Sequence, residues 1–459
     1  MTRSWASFGM ALMAGLALAA IAGTSSSADP SPAALECRAL GLSHCPQPFD
    51  PVLPAAGDML NWNQDSRVIG FRNTYRLYPG DIFHTLGGAA YPLPPAPSGM
   101  PPVRYEMDRH TYGLDEYLRR QSVTGLLVLK QDQIVYEYYG RGNGDETLWT
   151  SRSVAKSVVS ILIGMAIKEG LIGSVNDPIT RYLPELKGSA WQDVTLRNLL
   201  QHSSGVAWNE NYADASSDFA RLTRCEAGPS AYPCVLKLVS SLKRVPGVKP
   251  GEVWSYNTGG AWLVGRVLEQ ATGMTIARYL ETRLWSRFAM QSDGVWEALV
   301  AGRVDMGGHG FNATLRDWGR FALFVEKGGK LADGEALLPS DWIAQSVTWS
   351  KAKGSVTPAT PDGQYGYQWW FGGVDPHRSG TDDVMRTAQQ TFWAEGIYGQ
   401  AIAIDPADQL VMVQWSTWKN AETPASLYDE QVLFFNAVAH ALRAPLLKAE
   451  KVTIRTNQN

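Results

Sequence analysis

The sequence of 459 residues has only four cysteines and seven histidines, and neither type recurs at a metal-binding spacing. No Cys-x-x-Cys and no His-Glu-x-x-His occurs, so the common zinc patterns are excluded and no cofactor is implied. Positive charge is scarce as well. Lys and Arg total 41 against 44 Asp and Glu, a net charge of −3. That leaves no basic face for nucleic acid. Past the N-terminal run, no stretch is apolar for long enough to span a bilayer. There is no internal repeat.

What is present starts at the N-terminus. Arg3 precedes an apolar run from Phe8 to Ala22, followed by Ser25, Ser26, Ser27, Ala28 and Asp29. This is the layout of a secretory signal peptide, with cleavage after Ala22 or Ala28; an uncleaved anchor is the alternative. The mature protein is then expected in the periplasm or outside the cell. Cys37 lies close to Cys45, and Cys225 close to Cys234. In an exported chain these pairs predict two local disulfides, four buried thiols being the alternative. The expected division is a signal segment 1–28, an extension 29–115, a catalytic domain 116–445 and a tail 446–459. The extension holds Trp62, Phe71, Arg72, Asn73 and a stiff Pro-rich stretch from Tyr91 to Pro102. It carries no evident chemistry.

The chain is organised around Thr150-Ser151-Arg152-Ser153-Val154-Ala155-Lys156 and the apolar run that follows to Ile167. The run has helix length, Glu169-Gly170 is a stop, and Thr150 or Ser151 can cap the start. Ser153 and Lys156 then share one face of the first turn. A desolvated Lys at a helix N-terminus gives up its proton more readily, and a neutral amine beside a Ser can serve as its base. The same spacing occurs at Ser240–Lys243, Ser350–Lys353 and Ser416–Lys419, none of which opens a comparable apolar helix.

Val123–Leu129 and Ile134–Tyr139 read as a hairpin, and Ala401–Ile404 and Leu410–Trp415 as a second strand pair. Tyr365–Phe371 reads as an aromatic strand. Ala261–Leu268, Leu315–Phe324 and Leu427–Leu442 read as helices, and residues 207–235 as a polar loop. Strands at both ends with helices between predict an α/β fold: an antiparallel sheet flanked by helices, with a helical lobe. His202 reads as a packing and turn residue.

Tyr256 follows a Pro-Gly turn and precedes a helix, and Gly396-Ile397 is read as opening a strand near the end of the chain. Ser-x-x-Lys, a downstream Tyr and a Gly-opened strand, in this order, resemble the serine β-lactamase and penicillin-binding-protein superfamily. Val194–Gly205, Pro250–Gly265 and Gly307–Phe321 resemble its class C-like branch of esterases, D-amino-acid peptidases and aminohexanoate-dimer hydrolases. The resemblance implies Ser153 as nucleophile, Lys156 and Tyr256 as proton carriers, and the amides of Ser153 and Ile397 as the oxyanion hole. Two positions depart from the family. Thr258 replaces the Asn of Tyr-x-Asn, and Ala394-Glu395-Gly396 replaces Lys-Thr-Gly. The lost Lys argues against β-lactams as main substrate. Trp208, Tyr212, Trp369, Trp370, Trp393 and Gly396 are candidates to line the cleft, and Asp214 and Asp218 to meet a substrate amine. The expected partner is a small ester or amide. D,D-carboxypeptidase, D-amino-acid peptidase and β-lactamase activities are the alternatives, and a non-catalytic scaffold the third.

Overall fold

The computed structural model describes residues 36–443 apart from 38, 86, 349, 351, 354–364, 372–390, 423 and 425. The expected signal segment and C-terminal tail lie outside the described residues.

In chain order the extension gives α1 (Gln64–Phe71) and β1 (Gly80–Phe83), then a small hairpin, β2 (Arg104–Met107) and β3 (His110–Gly113). The strands β4 (Val123–Lys130), β5 (Gln133–Tyr139) and β6 (Trp149–Thr150) lead into α2 (Val154–Lys168). The middle holds α3 (Asp218–Glu226), α4 (Ala231–Ser241) and α5 (Thr258–Thr272). After them come β7 (Gly294–Val300), β8 (Val304–Asp305), β9 (Phe311–Ala313) and α6 (Leu315–Glu326). The last elements are β10 (Trp370–Phe371), β11 (Phe392–Gly396), β12 (Gln400–Asp405), β13 (Leu410–Ser416) and α7 (Ser426–Arg443).

Both strand pairs read from the sequence belong to one six-stranded antiparallel sheet, ordered β10-β11-β12-β13-β4-β5. Alternation assigns its faces. Leu127, Leu129, Ile402, Ile404, Val411 and Val413 join the core under α2 and α6. Leu126, Val128, Ala401, Ala403, Leu410 and Met412 join a second core under α7 and the β2–β3 hairpin. The β4–β5 turn is two residues, Gln131 and Asp132, both with positive φ, the hand that suits a tight hairpin.

A second sheet, β1-β7-β9-β6 with β8 beside β7, was not expected. Most of its strands are very short, and β7 is buried on both faces, so neither length nor alternation marks them. Two further readings need correction. Of Tyr365–Phe371 only Trp370–Phe371 is strand; the rest lies irregularly over the lobe, where Gln368 donates to Leu199 O and Leu200 O. The stretch 207–235 is not all loop, because α3 and the start of α4 occupy much of it.

The disulfides are Cys37–Cys45 and Cys225–Cys234, and the second ties α3 to α4. Among the described residues no helix is long and apolar enough to cross a membrane. The two disulfides are compatible with an extracellular or periplasmic protein. The Pro-rich stretch runs along the free edge of β5, where Ala96 N donates to Ile134 O and Ile134 N to Pro94 O, each at 2.8 Å. An unpaired edge is thereby covered.

Candidate active site

Helix α2 is buried on every side from Val154 to Ala166, which makes it the central helix of the core. The chain enters it from β6 by a sharp turn. Ser151 N donates to Phe311 O, Arg152 takes φ +48°, and Ser153 becomes the N-cap. Neither Thr150 nor Ser151 caps the helix, and the Ser153 hydroxyl makes no cap bond either. That hydroxyl meets Lys156 instead. Lys156 Nζ lies 2.8 Å from Ser153 Oγ and 2.8 Å from Gly308 O. Lys156 is 2% exposed. Burial lowers its pKa to about 8, with Glu210 and Glu226 pulling the other way.

Tyr256 completes the group. Its ring centroid is 5.1 Å from Lys156 Nζ. Burial holds its phenol well above the ordinary value and Glu210 adds to this, while a hydrogen bond with Ser153 offsets part of the rise. The ring stacks on Trp370 at 5.6 Å and lies 4.4 Å from His202. His202 accepts from Asn257 N through Nδ1, and its carbonyl accepts from Ser255 N, so it braces the segment carrying Tyr256. Asn257 caps α5 by accepting from Gly260 N at 2.7 Å.

Gly396 does not open a strand as expected: it ends β11, with Ile397 already in the turn to β12, and it packs against the Ser153 turn. A Cβ there would lie 2.7 Å from Ser151 O and 3.0 Å from Ser153 N, so only glycine allows this approach. The amides of Ser153 and of the next residue, Ile397, have no acceptor among the described residues.

The remaining candidates divide. Trp208 packs on Gly259 at the start of α5 and donates to Glu210, as does the Tyr212 hydroxyl. Trp393 is fully buried in the second core, edge-on to Phe435. Strand alternation sends Phe392 and Ala394 to the α2 side and Trp393 away from it, so Trp393 does not line the cleft. Trp369 is likewise fully buried, packed on Phe392. Asp214 accepts from Ser216 and Asn209, and Asp218 from Asn209 N and Arg221, so their oxygens hold the loop itself.

Sequence reasoning missed the carboxylate that does reach the site. Glu210 accepts from Thr258 N and Thr258 Oγ1, two residues beyond Tyr256, and burial raises its pKa. It missed a buried charge cluster as well. His309 Nε2 is 3.0 Å from Glu226, and its Nδ1 is 3.4 Å from Glu297. Against the cost of burial, the two carboxylates raise His309 to about 9. Glu297 is lowered to about 2 despite its burial, by His309 and Arg152. Gly308, the carbonyl partner of Lys156, immediately precedes His309. Among the described residues no group of His, Cys, Asp and Glu is arranged to hold a metal ion.

An antiparallel sheet against a buried helix, with Ser and Lys one turn apart at the helix tip, is an arrangement compatible with a serine hydrolase, the class to which the family match assigns the chain. The Beta-lactamase family model matches residues 114–434, and the chain belongs to that family. It is 27% identical over 347 residues to the 6-aminohexanoate-dimer hydrolase of Paenarthrobacter ureafaciens, covering 72% of this chain and 81% of the relative. Among solved structures, a Bacillus anthracis protein named for 6-aminohexanoate-dimer hydrolase superposes with a TM-score of 0.69 at 21% identity. That match covers 85% of this chain and 99% of the other. EstCE1, a hydrolase with promiscuous acyltransferase activity, superposes with a TM-score of 0.53 at 17% identity, covering 71% and 98%. At these identities the two structures speak for the fold.

Proposed function

We propose that this chain hydrolyses small esters or amides through an acyl-enzyme on Ser153. The observation that carries the reading is the buried Lys156 amine 2.8 Å from Ser153 Oγ, its pKa lowered to about 8. Neutral Lys156 takes the hydroxyl proton as Oγ bonds to the substrate carbonyl carbon. The carbonyl oxygen becomes an oxyanion, received by the amides of Ser153 and Ile397. The proton passes through Tyr256 to the leaving oxygen or nitrogen as its bond to carbon breaks. Water then attacks the acyl carbon, its proton returns along the same route to Ser153 Oγ, and the bond between that oxygen and the acyl carbon breaks to release the acid. Trp370 and Trp208 border the acyl site.

The family relatives named above support an acyl-transfer reaction on an ester or amide. Where the resembling enzymes place a Lys that anchors a substrate carboxylate, this chain has Ala394, with Glu395 next to it. Burial raises Glu395 to about 8. Neither Ala394 nor Glu395 gives a substrate carboxylate a countercharge, which disfavours β-lactams and cell-wall peptide carboxylates. The two disulfides fit the export proposed from the N-terminal sequence.

The test is a fluorophosphonate probe followed by a substrate panel of short p-nitrophenyl esters, D-aminoacyl amides, aminohexanoate dimer and nitrocefin. Labelling at Ser153 and turnover of an ester or amide that is lost in Ser153→Ala are expected. Turnover that survives Ser153→Ala refutes the reading, and preference for nitrocefin refutes the substrate class.

A further inference from the structure

We propose that the N-terminal extension positions the oxyanion hole, with Phe71 and Arg67 of α1 bracing the two backbone turns that aim the amides of Ser153 and Ile397. The proposal rests on the reading that those amides receive the oxyanion.

Each amide sits beside a bulky residue in the left-handed region. Arg152, with φ +48°, precedes Ser153, and Tyr398, with φ +65°, follows Ile397. The torsions of Arg152 orient the peptide plane that carries Ser153 N–H, and those of Tyr398 shape the turn from which Ile397 hangs. Bulky side chains hold positive φ only where their surroundings impose it.

Helix α1 supplies those surroundings on both sides. The ring of Phe71 meets the Tyr398 ring edge-on at 5.4 Å, and the Arg152 guanidinium lies 5.2 Å from its centre. One fully buried side chain thus touches both turns. Arg67 is one helical turn earlier on the same face. Its guanidinium lies 4.4 Å from the Tyr398 ring centre and donates to Trp418 O at 2.8 Å and to Trp62 O. Trp418 N donates in turn to Tyr398 O, so Arg67 grips that turn by ring and by backbone. The Tyr398 hydroxyl reaches back to Leu60 O.

The extension is fixed firmly enough to act as a brace. Arg72 pairs with both oxygens of Asp50 at 2.6 Å, and Thr74 Oγ1 donates to Asn312 Oδ1 at 2.6 Å. Gly70 lets α1 lie flat on Trp62, since a Cβ there would fall 2.1 Å from that ring. None of these residues reaches Ser153 Oγ or Lys156, so the brace acts through the donors and not through proton transfer.

The experiment uses full-length Phe71→Leu and Arg67→Gln, each checked for folding by thermal melting. The readout is kcat and KM on a p-nitrophenyl ester and on its thionoester, whose sulfur is a poor acceptor and therefore gains little from an oxyanion hole. In both variants kcat for the ester is expected to fall about tenfold, short of the loss of a whole donor, with KM nearly unchanged. The ester-to-thionoester ratio of kcat/KM is expected to fall with it. A ratio equal to wild type in both variants, in an enzyme whose turnover depends on Ser153, overturns this proposal alone, even if activity drops. Turnover that survives Ser153→Ala overturns the reading of the site, and this proposal with it.

Discussion

Lys156 is buried at the tip of α2 with a hydroxyl and a carbonyl as partners, and no carboxylate among the described residues forms an ion pair with it. Its ammonium is therefore costly, and the amine is half formed near pH 8. With Lys156 as base, kcat/KM on a neutral ester rises with pH and levels off above a midpoint near 8. Glu226→Gln removes one of the two charges that favour the ammonium and moves the midpoint to lower pH. A midpoint near the ordinary histidine value of about 6.5, unmoved in that variant, would assign the base elsewhere. On the proposed reading of the oxyanion hole, the Ile397 side chain is incidental and its amide is not, which gives the opposite kind of prediction. Ile397→Ala keeps the N–H and should leave kcat within about twofold. Ile397→Pro removes it and should cost about 100-fold or more in kcat, the usual loss for one oxyanion donor. Equal rates in the two variants, measured on one p-nitrophenyl ester, would remove Ile397 from the site.

At the scale of elements, the disulfide Cys225–Cys234 joins α3 to α4 and so holds Glu226, the last residue of α3, in place. Closing so short a loop contributes about 2–3 kcal/mol. Cys225→Ser with Cys234→Ser should lower the urea unfolding free energy by that amount, and an unchanged midpoint would show the bond to be energetically idle. Which elements could be read from sequence follows from pattern strength. Helix α2 was legible because a long apolar run sits between a polar start and a Gly stop. The β4–β5 hairpin was legible because Gln131 and Asp132 separate two apolar runs. The strand β11 was not legible: the sequence reads Gly396-Ile397 as opening a strand, whereas Gly396 closes one, and because Phe392, Trp393 and Ala394 are all apolar no alternation marks the strand or tells which side meets α2. The sheet containing β7 and β9 was missed because its short or doubly buried strands carry no period. Glu210 sits in a polar loop among other acids, and only the fold brings it to Thr258 instead of Asp214 or Asp218.

Across the whole molecule, three parts meet at His309. Glu226 comes from the helical lobe, Glu297 from the second sheet, and Gly308 ties the turn to Lys156. All three ionisable members are at most 5% exposed. A buried imidazolium between two carboxylates has a definite signature in stability. The folded pKa of His309 is about 9 against an ordinary 6.5. Its contribution is fully present below 6.5 and is lost as pH rises through 9. Glu297 has the opposite sign: lowered from 4.5 to about 2, it contributes above 4.5 and its share disappears as pH falls through 2. The cluster therefore favours the fold most between those limits. On the alkaline side, the shift of His309 amounts to about 3 kcal/mol. Lys156 acts in the reverse direction above pH 8, because its folded pKa is depressed, so wild type alone gives a mixed answer. The difference between wild type and His309→Gln isolates the histidine. His309→Gln should be the less stable protein at about pH 6, with the gap narrowing by about 3 kcal/mol toward about pH 9 in urea titrations. A gap constant across that range would mean that the proton on His309 does not hold the lobe to the sheet.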